Sequence, residues 1–319
     1  MTVQDTAQQT PADRFRVGID IGGTKIEAVL VDPQDNVRND VRIPARRGNA
    51  QVIDDVVSIT HEVAGDLFDQ VATVGIGIPG QVNPETGRVD NVVNLDIDTL
   101  ELGAEAGKRL GIPVHVENDV NAAAVGAARM VGGSHPEGTI VFLNFGTGLA
   151  AGLVRDGQAE HGYSGCIGEI GHLPVDPNGF ACPCGQRGCL ETVASGRAVA
   201  KLWPSANPPM PDLIRKARQG DEHANDVLGK VAHGMGDVIQ IVAQAYDPQR
   251  IIIGGGMAKT GDALIEVIQA ELSRRAEGCR FLTTLDIASK IRIAAVDKPI
   301  GAIGAALAAK RAQLGNQTM

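Results

Sequence analysis

Residues 15–32 read FRVGIDIGGTKIEAVLVD, and residues 139–157 read TIVFLNFGTGLAAGLVRDG. Each has an apolar run, a polar residue (Asp20, Asn144), a Gly/Thr turn and a second apolar run. Strand-forming runs flanking a glycine turn predict a β-hairpin. Two copies of one unusual hairpin predict two related halves.

Outward from the hairpins, helical patterning falls near Val52–Leu67, and Val71–Ile78 reads as a buried strand ending at Pro79-Gly80. Residues 81–98 read as turns. A short strand, Ile112–Glu117, leads into a helix that begins at Asn118-Asp119, either of which fits an N-cap. The second half shows periodic segments near 194–203, 224–245 and 261–276, a strand Ile251–Ile253 stopping at three glycines, and a last helix over about 300–313. Alternating strands and helices predict an α/β protein of two domains. The expected organisation is a disordered tail over 1–14, a small α/β domain over 15–117 joined by the C-terminal helix 300–319, and a large α/β domain over 118–299.

The 319 residues are ample for a large core. Glycine is abundant at 40 residues while aromatics make up only 3%, which argues against a base-stacking surface. The net charge of −9 gains nothing from counterion release on nucleic acid. The polar opening MTVQDTAQQTPADRF lacks the apolar core of a signal peptide, and no run approaches the ~18 apolar residues of a membrane span. Three of the five cysteines crowd into one loop, which reads as metal binding in a reducing compartment. A cytoplasmic protein with no nucleic-acid or membrane partner is expected.

In the first turn, Gly22 and Gly23 let backbone N–H groups approach phosphate oxygens, Thr24 and Lys25 add a hydroxyl and a charge, and Asp20 is suited to hold Mg²⁺ through water. A plain glycine hairpin fits the same residues. Gly146, Thr147 and Gly148 repeat the turn, and two such turns can grip a polyphosphate. Gly254, Gly255 and Gly256 leave room for a flat ligand such as adenosine at a strand's carboxyl end, or simply form a turn. The run Gly75-Ile76-Gly77-Ile78-Pro79-Gly80 matches a dinucleotide fingerprint, but Pro79 and the turn beyond it replace the required helix. Gly80 is instead expected to line a substrate pocket through its backbone.

Glu117-Asn118-Asp119 reads first as a helix cap. A carboxylate kept ionised by a helix N-terminus can also take a proton from a hydroxyl, which makes Asp119 a candidate base. His172, Cys182, Cys184 and Cys189 supply one imidazole and three thiolates, a closed tetrahedral set for a structural Zn²⁺. Cys166 and Cys279 stand apart as ordinary thiols. Glu169 and Glu191 flank the metal set. Alone they read as surface charge, but beside an anchored loop their carboxylates suit sugar hydroxyls, and His172 can present its second ring nitrogen to the same ligand.

Taken together, Asp20–Lys25, Glu117-Asn118-Asp119, Gly146-Thr147-Gly148, Gly168-Glu169-Ile170-Gly171-His172 and Cys182–Glu191 resemble the ROK family (repressor, open reading frame, kinase), in particular its glucokinase-like members. The resemblance spans Val17 to about Leu307. It implies an actin-like, ribonuclease H-like ATPase fold with ATP and Mg²⁺ as cofactors. It also implies Asp119 as catalytic base, and Asn118, Glu169, His172, Glu191 and Asn94 around a hexose. Phosphorylation of the sugar's 6-hydroxyl, glucose first, is the implied activity. N-acetylglucosamine, N-acetylmannosamine, mannose and fructose stay open as acceptors, and polyphosphate as donor. A homodimer or homotetramer is implied too. Three stretches depart from the family pattern: Leu149-Ala150-Ala151 after the second turn, Asn94-Leu95-Asp96-Ile97-Asp98 in the sugar loop, and Cys166-Ile167 before Gly168. A sugar-binding repressor of the same family is the rival reading. Such proteins carry a helix-turn-helix domain ahead of the kinase-like part, and the 16 residues before Val17 are too few for one.

Overall fold

The computed structural model describes residues 14–133 and 136–315. These residues form two compact units, one of 14–133 with 298–315 and one of 136–297. The expected tail falls on residues 1–13, outside the described residues. Arg14 is not part of it, since its guanidinium donates to the Asp69 carbonyl at 2.6 Å.

The first unit opens with β1 (Phe15–Ile21) and β2 (Lys25–Val31), the antiparallel hairpin read from the sequence. β3 (Val37–Pro44) extends it, followed by α1 (Asn49–Ala64) and β4 (Val71–Ile78), which lies parallel to β1. Residues expected to be turns form a small antiparallel sheet of β5 (Gln81–Asn83), β6 (Arg88–Val92) and β7 (Ile97–Leu100). Val89, Val92, Ile97 and Leu100 bury one face of it, and four apolar residues spread among polar ones are too sparse a pattern to read as strands. α2 (Leu102–Leu110) leads to β8 (Val114–Asn118), parallel to β4, and β8 runs directly into α3 (Asp119–Gly132). The larger sheet has the order β3-β2-β1-β4-β8.

The C-terminal helix, Ile300–Gly315, packs on β1, β4 and α3. Contact is made backbone to backbone. A methyl on Gly18 would sit 1.9 Å from the Ala302 carbonyl oxygen, and one on Gly75 would sit 1.9 Å from that of Ala305. One on Gly126 would come within 2.1 Å of the Ile300 oxygen, and one on Gly304 within 1.7 Å of that of Ala122. The glycine-rich, aromatic-poor composition is thus partly a packing requirement, because close-packed interiors cannot absorb an extra methyl at such distances. The break expected before Asn118 is absent for the same reason. α3 is clasped against the C-terminal helix, and the first unit runs on to Gly133.

The second unit repeats the plan. β9 (Thr139–Phe145) and β10 (Leu149–Arg155) form the second hairpin, with β11 (Gln158–Ala159) at its edge. A loop over 160–190 precedes α4 (Glu191–Ala194), α5 (Gly196–Leu202), α6 (Pro209–Arg218) and α7 (Glu222–Tyr246). β12 (Arg250–Gly254), α8 (Asp262–Ala276) and β13 (Ile291–Ile293) complete it. The order β11-β10-β9-β12-β13 matches the first sheet position for position: an antiparallel edge, the hairpin, then two parallel strands. The helix expected over 194–203 begins at Ser195, whose hydroxyl accepts from the Ala198 N–H at 3.1 Å and caps α5. Among the described residues no helix is long and apolar enough to cross a membrane.

Candidate active site

The sequence-predicted residues fall into two sets, one in each unit. In the first, the Gly22 N–H donates to the Lys25 carbonyl at 2.9 Å and closes the β1–β2 turn. The Lys25 ammonium pairs with Glu27 at 2.5 Å, and Glu27 also holds Arg42. Its charge is therefore engaged along β2. Gly23 abuts Asn94, since a Cβ at Gly23 would lie 3.0 Å from the Asn94 Cβ. The structure thus brings Asn94 onto the first glycine turn.

Asp119 stands at the first position of α3. Asn118 is the N-cap, its side chain accepting from the Val120 and Asn121 N–H groups at 2.9 and 3.4 Å. Its amide group donates to the Gly80 carbonyl at 3.2 Å. Gly80 has φ +99°, and a Cβ there would meet the Asp90 carbonyl oxygen at 2.7 Å, so only glycine fits. Asp20 and Asp119 are electrostatic neighbours. Loss of water, then the Asp119 and Glu27 charges, push the Asp20 carboxyl up to about 7 against the opposing pull of Lys25. Two opposed carboxylates at one end of a sheet are a place where a divalent cation relieves repulsion. Asp20 is suited to that role and Asp119 to accepting a proton.

Sequence reasoning read Glu117 only as part of the cap motif and assigned nothing to Asn121. Glu117 is 2% exposed, and its carboxylate accepts from the Asn118 N–H at 2.9 Å and the Asn121 amide at 3.1 Å. Glu117 and Asn121 lie four residues apart at a strand-to-helix junction, and that spacing was the available signal.

In the second unit, the Gly146-Thr147-Gly148 turn is held from behind. The Gly196 and Arg197 N–H groups donate to the carbonyls of Gly146 and Thr147 at 2.7 and 3.3 Å. The Glu191 carboxylate accepts from the Leu149 N–H at 2.9 Å, and a Cβ at Gly148 would strike it at 2.7 Å. Gly254 and Gly255 are tightly packed: a Cβ on the first would lie 2.2 Å from the Phe142 ring, and one on the second 2.5 Å from Asn144 Oδ1. Gly256 is exposed and has open space where a Cβ would be.

Glu169 and His172 lie on a tight turn pressed flat against β10. Cβ atoms on Gly168 and Gly171 would come within 1.9 and 2.1 Å of the Ala151 and Leu149 carbonyl oxygens, and the Ala151 N–H donates to the Gly168 carbonyl at 2.8 Å. His172 Nδ1 is 3.7 Å from Cys182 Sγ, and Cys184 Sγ is 3.7 Å from Cys189 Sγ. The four ligand atoms all lie within 4.8 Å of one another. A tetrahedron with Zn–S of about 2.3 Å has edges of about 3.7 Å, so the set fits a structural Zn²⁺. Nδ1 faces the sulfurs, which leaves Nε2 on the other side of the ring. Desolvation and the neighbouring thiols push the Cys189 thiol up to about 12, whereas backbone and side-chain hydrogen bonds from Gln186 bring Cys184 down to about 6. A bound dication favours the thiolate at every position and overrides that opposition.

A family model described as "ROK family" matches residues 16–312. The chain belongs to the ROK family, and its fold is the α/β ROK sugar-kinase fold of actin-like ATPases. It is 30% identical over 310 residues to a glucokinase of Streptomyces coelicolor, covering 91% of this chain and 96% of that one. An N-acetyl-D-glucosamine kinase of Haemophilus influenzae is 29% identical over 280 residues, covering 82% and 91%. The crystal structure of a ROK family glucokinase from Streptomyces griseus in complex with glucose and AMPPNP superposes with a TM-score of 0.75 at 29% identity, covering 93% of this chain and 99% of that one.

Proposed function

We propose that this chain is an ATP-dependent hexose kinase that phosphorylates the 6-hydroxyl of glucose. The observation that carries the reading is Asp119, set at the start of α3 by the Asn118 cap and close enough to Asp20 for the two like charges to repel. The similarity to glucokinases named above supports glucose as first substrate and ATP as donor.

In this reading Glu169, His172, Glu191, Asn118 and Asn94 hold the sugar hydroxyls. Asp119 takes the proton from the 6-hydroxyl as its oxygen bonds to the γ-phosphorus, the bond to the β-phosphate bridging oxygen breaks, and ADP leaves. The two glycine turns offer backbone N–H groups to the phosphates, and Asp20 would hold Mg²⁺, which supplies charge neutralisation on the phosphoryl oxygens. His172, Cys182, Cys184 and Cys189 would hold Zn²⁺, which braces the loop that carries the sugar contacts. A cytosolic location and a homo-oligomeric state go with the reading.

A coupled ADP-release assay over a panel of glucose, mannose, fructose, N-acetylglucosamine and N-acetylmannosamine tests it, with glucose expected to give the highest kcat/KM. No turnover of any hexose would leave a sugar-binding regulator in its place. A second reading, N-acetylhexosamine kinase, is favoured by the N-acetyl-D-glucosamine kinase relative and wins if the acetylated sugars lead the panel.

A further inference from the structure

At the start of β1, several segments of the first unit meet on one carboxylate. Asp35, in the turn between β2 and β3, faces three cations. Arg16 Nη2 of β1 is at 2.6 Å, Lys310 Nζ of the C-terminal helix at 3.1 Å and Arg129 Nε of α3 at 3.9 Å. The neighbouring Asp32 carboxylate is engaged elsewhere. It accepts from the Gln34 and Asn36 N–H groups at 2.9 and 2.8 Å and pairs with Arg38 at 2.6 Å. Among the described residues no other acid lies within ion-pair distance of Arg16, Arg129 or Lys310. Arg16 is 1% exposed. Its Nη2 donates to Asp35 and to the Asp32 carbonyl at 2.7 Å, while its Nε and Nη1 have no hydrogen-bond partner among the described residues. The one other buried side-chain nitrogen or oxygen in that state among the described residues is Arg129 Nε, in the same cluster. Loss of water lowers the Arg16 guanidinium from its usual range, against the opposing pull of Asp35 and Asp32. A guanidinium stays charged in a protein all the same, so the cluster carries more positive charge than Asp35 balances.

We propose that an inorganic monoanion of halide size binds in this cluster, held by N–H groups of Arg16 and Arg129, with Lys310 adding charge. Water would satisfy the N–H groups and leave the excess charge, whereas an anion answers both. The burial of Arg16 limits the ligand to a small ion and rules out a phosphate ester or a nucleotide. The site joins β1, α3 and the C-terminal helix, so an anion bound only in the native state stabilises the folded chain by mass action. The proposal concerns ion binding and stands whether or not the chain turns over glucose.

The test is thermal unfolding of the full metal-loaded chain while chloride or bromide replaces methanesulfonate at constant ionic strength, in wild type, Arg16→Met, Arg129→Met and Arg109→Gln. Arg109 pairs with Asp54 outside the cluster and serves as control. Wild type should gain roughly 2–6 °C in melting temperature, with saturation, between about 1 and 200 mM halide. Arg16→Met and Arg129→Met should lose that gain, and Arg109→Gln should keep it. Arg16→Met should fall below wild type in chloride and draw level with it in methanesulfonate, where the unbalanced cation has no counter-ion. Arg129 is 25% exposed, so its variant carries the test if Arg16→Met does not fold. Crystals grown in bromide should show an anomalous peak in contact with Arg16 Nε or Nη1. No halide-specific gain in wild type, the same gain in both cluster variants, or water alone at those nitrogens would each remove the site.

Discussion

In the first unit Asp20, Asn118 and Asp119 lie on regular elements, whereas in the second Glu169 and His172 lie on a loop. Asp20 is the penultimate residue of a central strand, Asn118 caps a helix, and Asp119 begins that helix. Glu169 and His172 sit outside strands and long helices, supported by two glycines flat on β10 and by a four-residue metal set. Hydrogen-bonded ladders position side chains without help, but a loop of small and polar residues needs another source of rigidity. Here His172, Cys182, Cys184 and Cys189 would supply it by holding Zn²⁺.

The largest expected effect separates chemistry from structure. Asp119→Asn should lower kcat by about 10²–10⁴-fold, the usual worth of a general base, with melting temperature and sugar affinity nearly unchanged. Wild-type kcat in a steady-state assay would remove Asp119 from that role. Next, Cys184→Ser should abolish stoichiometric zinc in elemental analysis and weaken glucose binding by roughly 10–100-fold. Hydrogen exchange should rise over 160–190 while β1, β4 and α3 stay protected. Equal loosening of both units would erase the contrast between them. Third, Gly304→Ala should cost about 1–3 kcal/mol in urea unfolding, because the new methyl has only 1.7 Å to the Ala122 oxygen. Exchange should then rise in the first unit and not in the metal loop.

The last effect is electrostatic. The Asp20 carboxyl, at about 7 in the folded chain, lies above the ~3.9 of an unfolded aspartate, so the native state binds the proton more tightly. Its contribution to stability is complete below about pH 4 and is lost as pH rises through 7. Without added Mg²⁺, wild type should therefore lose stability relative to Asp20→Asn between pH 4 and 8, and the difference should level off above that. A constant difference across the range would mean that Asp20 is ionised throughout.

Legibility in the sequence followed the same divide. Both hairpins, the strand Val71–Ile78 and a helix cap at Asn118 or Asp119 were readable because periodicity and turn chemistry are local, and the structure places the cap on Asn118. β3 was not, since Val37–Pro44 is a polar, largely exposed edge strand with little apolar pattern. α2 was missed as a short helix with four buried residues. The metal ligands were readable from residue type and spacing. The roles of Gly168 and Gly171 were not, because only the packed structure shows that β10 passes within a methyl's width of both. At Gly254 and Gly255, Phe142 and Asn144 supply a packing reason for glycine that no local pattern carries.

The backbone-to-backbone seating of the C-terminal helix also bears on how the chain is made. The second unit is continuous over 136–297, so all of its strands leave the ribosome in one stretch. The first unit waits with β1, β4 and α3 uncovered until synthesis has passed residue 315. During that interval the glycines that seat the helix, Gly18, Gly75 and Gly126, are uncovered, and a nascent chain stalled near residue 297 would hold every strand of both sheets but lack that helix.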